Sequence, residues 1–444
     1  MTAQGRTVTT WSAAAERLGG GGLRGLTVRN VVRTSVGGTD LRIRLTNAFG
    51  RGPVTFGHVY VGVPDAGAFL EPGSNRMVTF GGSPRVRLAL GATALSDPLP
   101  GPVGPRRRLA ISLYLDGECD VITGRNRATA PAWPSEPPSI TAPACPSGPP
   151  LTTAPIYPPE PPSAPTSPPA PPSATTYAPD RPSARSPDPP STISHPPEPP
   201  SAPAYRSLPG DHAADESAGA FVEEVAVWHW LDAVTVTVSG RVSSVAVLGD
   251  SITTGVGSET GHGWPDILAD QTRLAVANEG VSGGRVLVAG TGRSAEERLT
   301  AEVLTKPGID TVILLAGVND LGAGAPADAL VAAYRRIVER AHAAGVSVIG
   351  CTLPPFGGAE YHTPDGERAR EAVNTFVRDG GAFDGMADFD AALRDPAAPV
   401  RLLPAYDCGD HLHPSAAGHW AMAAAVGPRL LSGQRAGDSN AGFR

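Results

Sequence analysis

Lysine is almost missing from this chain. Of its 36 basic residues only Lys306 is a lysine, set in the loop-like run Thr305-Lys306-Pro307-Gly308. A phosphate-cradling Walker loop needs a Gly-Lys-Ser/Thr triplet, and none is present. Schiff-base or Ser–Lys catalysis would have to rest on Lys306 alone. Cysteine is scarce: Cys119, Cys145, Cys351 and Cys408 are too few and too scattered for a disulfide scaffold or a zinc site of CxxC spacing. Cys351 and Cys408 could pair only in an oxidising compartment, and free thiols are the simpler expectation. An excess of basic charge is also lacking. The 36 basic residues face 43 acidic ones for a formal net charge of -7, against the basic footprint of a nucleic-acid binder. No apolar run reaches the ~20 residues that cross a bilayer, so no transmembrane segment is expected. Residues 1–18 lack the apolar core of a secretory signal. The default expectation is a cytoplasmic protein, secretion staying open if the N-terminus is incomplete.

The 444 residues are enough for two or three domains. Proline divides them: 29 of the 48 prolines fall between Pro131 and Pro209. Each proline removes an N–H donor and fixes φ. This tract, about residues 126–209, is therefore expected to be extended, biased to polyproline II and disordered. A spacer is the expected role, a ligand for a polyproline-reading partner the alternative.

Before the tract, Leu41-Arg42-Ile43-Arg44-Leu45, Arg85-Val86-Arg87-Leu88 and Leu109-Ala110-Ile111-Ser112-Leu113 alternate apolar and polar. Turn signals at Gly37-Gly38, Pro72-Gly73 and Gly81-Gly82 separate them. Such spacing predicts a β-sandwich or jelly-roll-like module. The alternation resumes after the tract at residues 225–230 and 234–238, so the tract is expected to be an insertion within an N-terminal β domain of residues 1–240. From Ser244 onward short apolar strands (245–248, 274–278, 311–315, 346–351 and 383–389) alternate with helices (264–273, 294–304, 326–344, 364–378 and 415–431). This predicts an α/β fold with a parallel sheet covered on both faces. The expected domain spans 241–435, leaving 436–444 as a tail.

Sites of doubly wound sheets form at the carboxyl ends of the strands. There the sequence places Gly249-Asp250-Ser251-Ile252-Thr253, then Asn278-Glu279-Gly280-Val281-Ser282-Gly283-Gly284, Gly317-Val318-Asn319-Asp320, and Asp407-Cys408-Gly409-Asp410-His411-Leu412-His413-Pro414. Ser251 is a weak nucleophile alone and needs a base titrating near neutrality. His413 is the candidate, with Asp410 to orient its ring. Ser251 N–H, Gly283 N–H and the Asn319 amide are candidate donors to an oxyanion. Each piece has a plain structural alternative: Ser251 as a helix cap, Asn319 as a turn residue, Asp410 and His413 as caps of the last helix, with Pro414 at its first position. Four such pieces in order, each after an expected strand, are far more specific than any one.

The four blocks resemble those of the SGNH/GDSL hydrolase family, which supply Ser, Gly, Asn and His. Val247-Leu248-Gly249-Asp250-Ser251-Ile252-Thr253 is similar to the first block, with Ile where the family name has Leu. Val281-Ser282-Gly283-Gly284 is similar to the glycine block, Gly283 being the expected donor ahead of Gly280 or Gly284. Gly317-Val318-Asn319-Asp320 corresponds to the GxND block and Asp410-His411-Leu412-His413-Pro414 to the DxxHP block. The resemblance covers residues 245–431. It implies a flavodoxin-like three-layer α/β/α sandwich and esterase chemistry, with Ser251, Asp410 and His413 catalytic and Ser251, Gly283 and Asn319 forming the oxyanion hole. The β domain resembles that of two-domain bacterial members; the proline tract departs from them.

The expected activity is serine-dependent hydrolysis of short-chain or acetyl esters, carbohydrate acetyl esters included, with no metal or organic cofactor. A lipase, lysophospholipase or thioesterase would suit the same site, and a non-catalytic carbohydrate- or surface-binding protein is the alternative of another class. Asp407 is a rival to Asp410 at the wrong spacing, His411 is expected at the rim, and Asp320 is expected to hold the Asn319 loop. Glu360, His362, His411 and His413 lack metal-site spacing. Trp264 reads equally as an acyl-pocket wall or a core residue.

Overall fold

Residues 5–19, 22–126, 204–258 and 262–430 are described by the computed structural model. Cys145, most of the proline tract and the expected tail lie outside them.

In the first half the alternating runs pair into antiparallel ladders. One sheet runs, in spatial order, Arg6–Ser12, Leu231–Val238, Thr39–Thr46 and Thr93–Leu95. The other runs Phe221–Val225, Ala204–Pro209, Leu26–Arg33, Arg108–Leu115, Val54–Gly62 and Arg76–Val78, with Val86–Leu88 also on Val54–Gly62. Side chains alternate faces along a strand, so Ile43, Leu45, Val234 and Val236 from one sheet meet Val28, Phe56, Ile111 and Leu113 from the other in one buried cluster. The chain before and after the tract builds the same sheets: Leu231–Val238 lies between Arg6–Ser12 and Thr39–Thr46, and Ala204–Pro209, expected to be the disordered end of the tract, is instead a strand paired with Leu26–Arg33.

Two local expectations change. Residues 225–230 are not one strand. Val227–His229 joins a small sheet with Ile122–Asn126 and Glu16–Leu18, and Trp230 takes a left-handed φ of 51° that turns the chain before Leu231. The Trp230 ring is fully buried and meets Phe56 edge-on at 5.4 Å, a core contact that holds the unfavourable backbone. Arg44, patterned to face water, is buried. It pairs with Asp232 at 2.8 Å and donates to the Thr305 carbonyl at 3.0 Å. The outer face of this sheet lies against the second half of the chain.

That half holds five parallel strands in the order Ala275–Gly280, Ser244–Gly249, Thr311–Leu315, Ser347–Cys351 and Gly385–Ala387. This is the 2-1-3-4-5 order of a flavodoxin-like sheet. Helices lie at Trp264–Gln271, Ala327–Ala343, Pro364–Asp379 and Ala416–Leu430. In Ala327–Ala343 the buried Leu330, Ala333, Tyr334, Ile337 and Ala341 recur at helical spacing and form the face on the sheet. The expected 294–304 helix starts with a Ser294–Glu297 capping box but is α-helical only over Ala295–Arg298, widening into a π turn at Leu299–Val303. The change begins at Arg298, whose guanidinium is tied to the carbonyls of Glu279 and Gly249. The fifth strand shrinks to Gly385–Ala387, because Asp388 caps the short helix Phe389–Leu393 immediately after it. Among the described residues no helix is long and apolar enough to cross a membrane.

Candidate active site

The strand Ser244–Gly249 ends in a turn that has no room for a side chain at Gly249. A Cβ there would lie 2.0 Å from Thr253 Oγ1 and 2.7 Å from the Leu315 carbonyl. Asp250 then caps a four-residue helical turn, Ser251–Thr254, by accepting the Ile252 N–H at 3.1 Å, and Gly255 closes it at φ 96°. Ser251 thus sits at the first helical position, with its N–H unused by the helix.

The last loop brings His413 to this serine across 162 residues: Nε2 lies 2.8 Å from Ser251 Oγ. Its Nδ1 lies 2.6 Å from Asp410 Oδ2, while Asp410 Oδ1 accepts the N–H groups of His413 at 2.8 Å and Leu412 at 3.0 Å. Burial alone would raise the Asp410 carboxyl, but the His413 ring, its N–H and its charge outweigh burial and hold it well below the usual range. A carboxylate only accepts hydrogen bonds, so the ring proton belongs on Nδ1 and the Nε2 lone pair faces the serine hydroxyl.

In the third block, the Asn319 amide is buried and donates one N–H to the Gly284 carbonyl at 3.0 Å, which leaves its second N–H for another acceptor. The three glycines of the preceding block divide clearly. Gly280 N–H donates to Asn278 Oδ1 at 3.0 Å and Gly284 N–H to the Val281 carbonyl at 2.8 Å. Gly283, at φ 68°, has nothing within 4 Å of where a Cβ would stand, and no described group takes its N–H. Asp320 accepts from Val286 at 2.8 Å and Leu287 at 3.1 Å, clamping this loop to the helix Val318–Gly322 that carries Asn319.

The rival residues are engaged elsewhere. Asp407 pairs with the exposed His411 at 2.6 Å and accepts the Gly409 and His411 N–H groups. His362 stacks edge-on against Phe356, with its Nε2 3.9 Å from Glu367. Trp264 is a core residue, fully buried and T-shaped against Phe389 at 5.2 Å. Cys351 is buried and Cys408 exposed, both free thiols. Lys306 is no plain loop residue: its side chain is wholly buried, with Nζ 2.9 Å from Glu279 Oε1.

Residues 247–421 match the model of the GDSL-like Lipase/Acylhydrolase family. The α/β domain of this chain belongs to that family. No curated protein matches the chain. The domain is similar to a protein described as lipolytic and of the G-D-S-L family from Desulfitobacterium hafniense DCB-2, at 23% identity over 41% of this chain and 97% of that one, TM-score 0.35. It is also similar to the M. smegmatis aryl esterase (16% identity, 42% and 98% covered, TM-score 0.36) and to a GDSL-like lipase from Bacteroides thetaiotaomicron VPI-5482 (18% identity, 41% and 85% covered, TM-score 0.34). The family is one of hydrolases that act on ester bonds.

Two features of this GDSL domain had no signal in the sequence. Asp250 is fully buried behind Ser251, and burial, only partly offset by the Ile252 N–H and by His413, pushes its carboxyl up to about 7. Arg298 ties the strand before Ser251 to the strand before the glycine block through the carbonyls of Gly249 and Glu279. One arginine among so many, on a helix of unremarkable pattern, could not have been singled out.

Proposed function

We propose that this GDSL domain hydrolyses carboxylic esters through an acyl-enzyme on Ser251. The hydrogen-bonded chain Asp410–His413–Ser251, with links of 2.6 and 2.8 Å, carries the reading. As Ser251 Oγ attacks the ester carbonyl, its proton passes to His413 Nε2, and Asp410 stabilises the imidazolium. The tetrahedral oxyanion rests on Ser251 N–H, Gly283 N–H and the second Asn319 N–H. His413 then gives its proton to the leaving alkoxide. Water, deprotonated by the same nitrogen, attacks the acyl carbonyl and restores Ser251. No step calls for a metal or an organic cofactor.

The substrates proposed are small-molecule and carbohydrate esters with short acyl groups, acetyl esters foremost. Longer lipid esters and thioesters would use the same constellation, since fold and triad do not set the leaving group. In this proposal residues 1–240 form the β domain around the proline tract and 241–435 the catalytic domain. A panel of acetylated sugars, p-nitrophenyl esters of rising chain length and an acyl thioester tests it. Turnover that falls with chain length, and is lost in Ser251→Ala, is expected. Turnover that rises with chain length assigns a lipase, and retention of activity by Ser251→Ala rejects the mechanism.

A further inference from the structure

We infer that Arg125, carried by the β half, is a positioning residue of the Ser251 site that acts through Asn278. The inference rests on the esterase reading above. Arg125 lies on Ile122–Asn126 and is 4% exposed. Its Nη1 donates to the Asn278 carbonyl at 2.7 Å and its Nη2 to Asn278 Oδ1 at 3.0 Å. Asn278 is the fourth residue of the catalytic strand Ala275–Gly280.

Its amide faces three ways. Oδ1 also accepts Gly280 N–H at 3.0 Å, and Nδ2 donates to the Thr253 carbonyl at 2.9 Å. A guanidinium only donates, so Arg125 fixes which end of the amide is oxygen and aims the NH₂ at Thr253. Thr253 belongs to the Ser251 turn, and Gly280 opens the glycine block. There is no slack between them: a Cβ on Gly280 would come 2.7 Å from Thr254 N and 2.9 Å from the Asp250 carbonyl. A shift of the Asn278 amide therefore moves the nucleophile and the Gly283 donor together.

The β half holds the same strand at further points, Ser35 Oγ accepting the Val276 N–H at 3.0 Å. Ala13 forms a parallel bridge with Asn278, and Ser12 Oγ donates to Glu279, the partner of Lys306. Arg125 also lies over the Trp228 ring at 5.9 Å, which fixes the guanidinium from its own side. On this account the β half is a working part of the catalytic centre and not an appended module.

The test uses the full chain with Arg125→Ala, Arg125→Lys, Asn278→Ala and the Arg125→Ala/Asn278→Ala double variant. Circular dichroism and Tm report folding, p-nitrophenyl acetate gives kcat and KM, and a fluorophosphonate reports Ser251 labelling. Misplacing reacting groups by about 1 Å costs on the order of 100-fold. Arg125→Ala is therefore expected to lose about tenfold or more in kcat and in labelling rate at unchanged KM. Arg125→Lys, which keeps the charge without the fork, should fall between. The double variant should be no slower than Asn278→Ala, because the two residues act in series. Full kcat in Arg125→Lys or in folded Arg125→Ala, or losses that multiply in the double variant, overturns the inference while leaving the esterase reading intact. A wild-type chain that neither turns over ester nor labels at Ser251 overturns the esterase reading itself.

Discussion

Replacing Asp410 by Asn is the most discriminating single change, because the surroundings dictate how the new amide must sit. Oδ1 of Asp410 accepts two backbone N–H groups, from Leu412 and His413, at 3.0 and 2.8 Å. Asparagine has one acceptor atom and one NH₂, and the two N–H groups claim the acceptor. The NH₂ is then turned toward His413 Nδ1, which in the native site donates across 2.6 Å. A donor facing a donor drives the ring to its other tautomer, with the proton on Nε2, pointing at Ser251 Oγ from 2.8 Å. The base is then without its lone pair. In triads of this type a correct fold with the wrong tautomer costs about 10⁴ in kcat, which is about 5.5 kcal/mol of barrier. Stopped or continuous assays on p-nitrophenyl acetate give kcat, and nitrogen NMR of the His413 ring gives the tautomer. The expected pair of results is a loss of about 10⁴ with a proton on Nε2. A variant that keeps kcat within tenfold, or one whose ring stays protonated on Nδ1, refutes this reasoning.

Other consequences are equally concrete. Asn319→Ala removes one of the proposed oxyanion donors and should lower kcat about 10²–10³-fold with little change in KM; an equal KM rise at constant kcat would make Asn319 a binding residue only. Asp250, pushed up to about 7 by burial, should add a second ionisation to the pH–rate profile near neutrality. Asp250→Asn should leave a single limb, and identical profiles would contradict this. His419 accepts the Trp264 N–H on Nδ1 and donates from Nε2 to the Val256 carbonyl, and burial lowers its pKa to about 4. A depressed folded pKa means stability present above the unfolded value of ~6.5 and lost as pH falls through about 4, on the order of 3 kcal/mol at full extent. Urea melts at pH 7 and pH 4 should show that much less acid sensitivity in His419→Gln; equal sensitivity rejects the assignment. Trp264→Ala should cost about 3–5 kcal/mol of stability by cavity formation, whereas a KM change at constant stability would restore it as a pocket wall.

Much of the α/β half was legible because its signals are local. Apolar runs such as Val312-Ile313-Leu314-Leu315 are buried strand segments, and the first three short blocks each follow such a strand, while the fourth comes later, after the hairpin strand Ala398–Leu402. Fold order then delivers the blocks to one edge, so Ser251 and His413 needed only their motifs to be paired. What pattern could not supply is pairing set by tertiary contact. Arg44 alternates like a solvent residue yet is buried against Asp232 and Thr305, since nothing in a strand's own sequence says which element covers its outer face. Trp230 reads as a strand residue, but its backbone is bent by the contact with Phe56. Lys306, in a run of loop formers, is buried against Glu279 from a different strand. Arg125 and Asn278 likewise meet across 153 residues, a distance at which sequence spacing carries no information.

In the proposed mechanism one serine hydroxyl, that of Ser251, is activated by His413. Intact-mass analysis after reaction with diethyl p-nitrophenyl phosphate, followed by peptide mapping, reads it directly. The account predicts a single diethylphosphoryl adduct on Ser251, ester turnover falling in step with its stoichiometry, and no adduct on the His413→Ala variant over the same time. An adduct on another residue, or full turnover with Ser251 blocked, would contradict it.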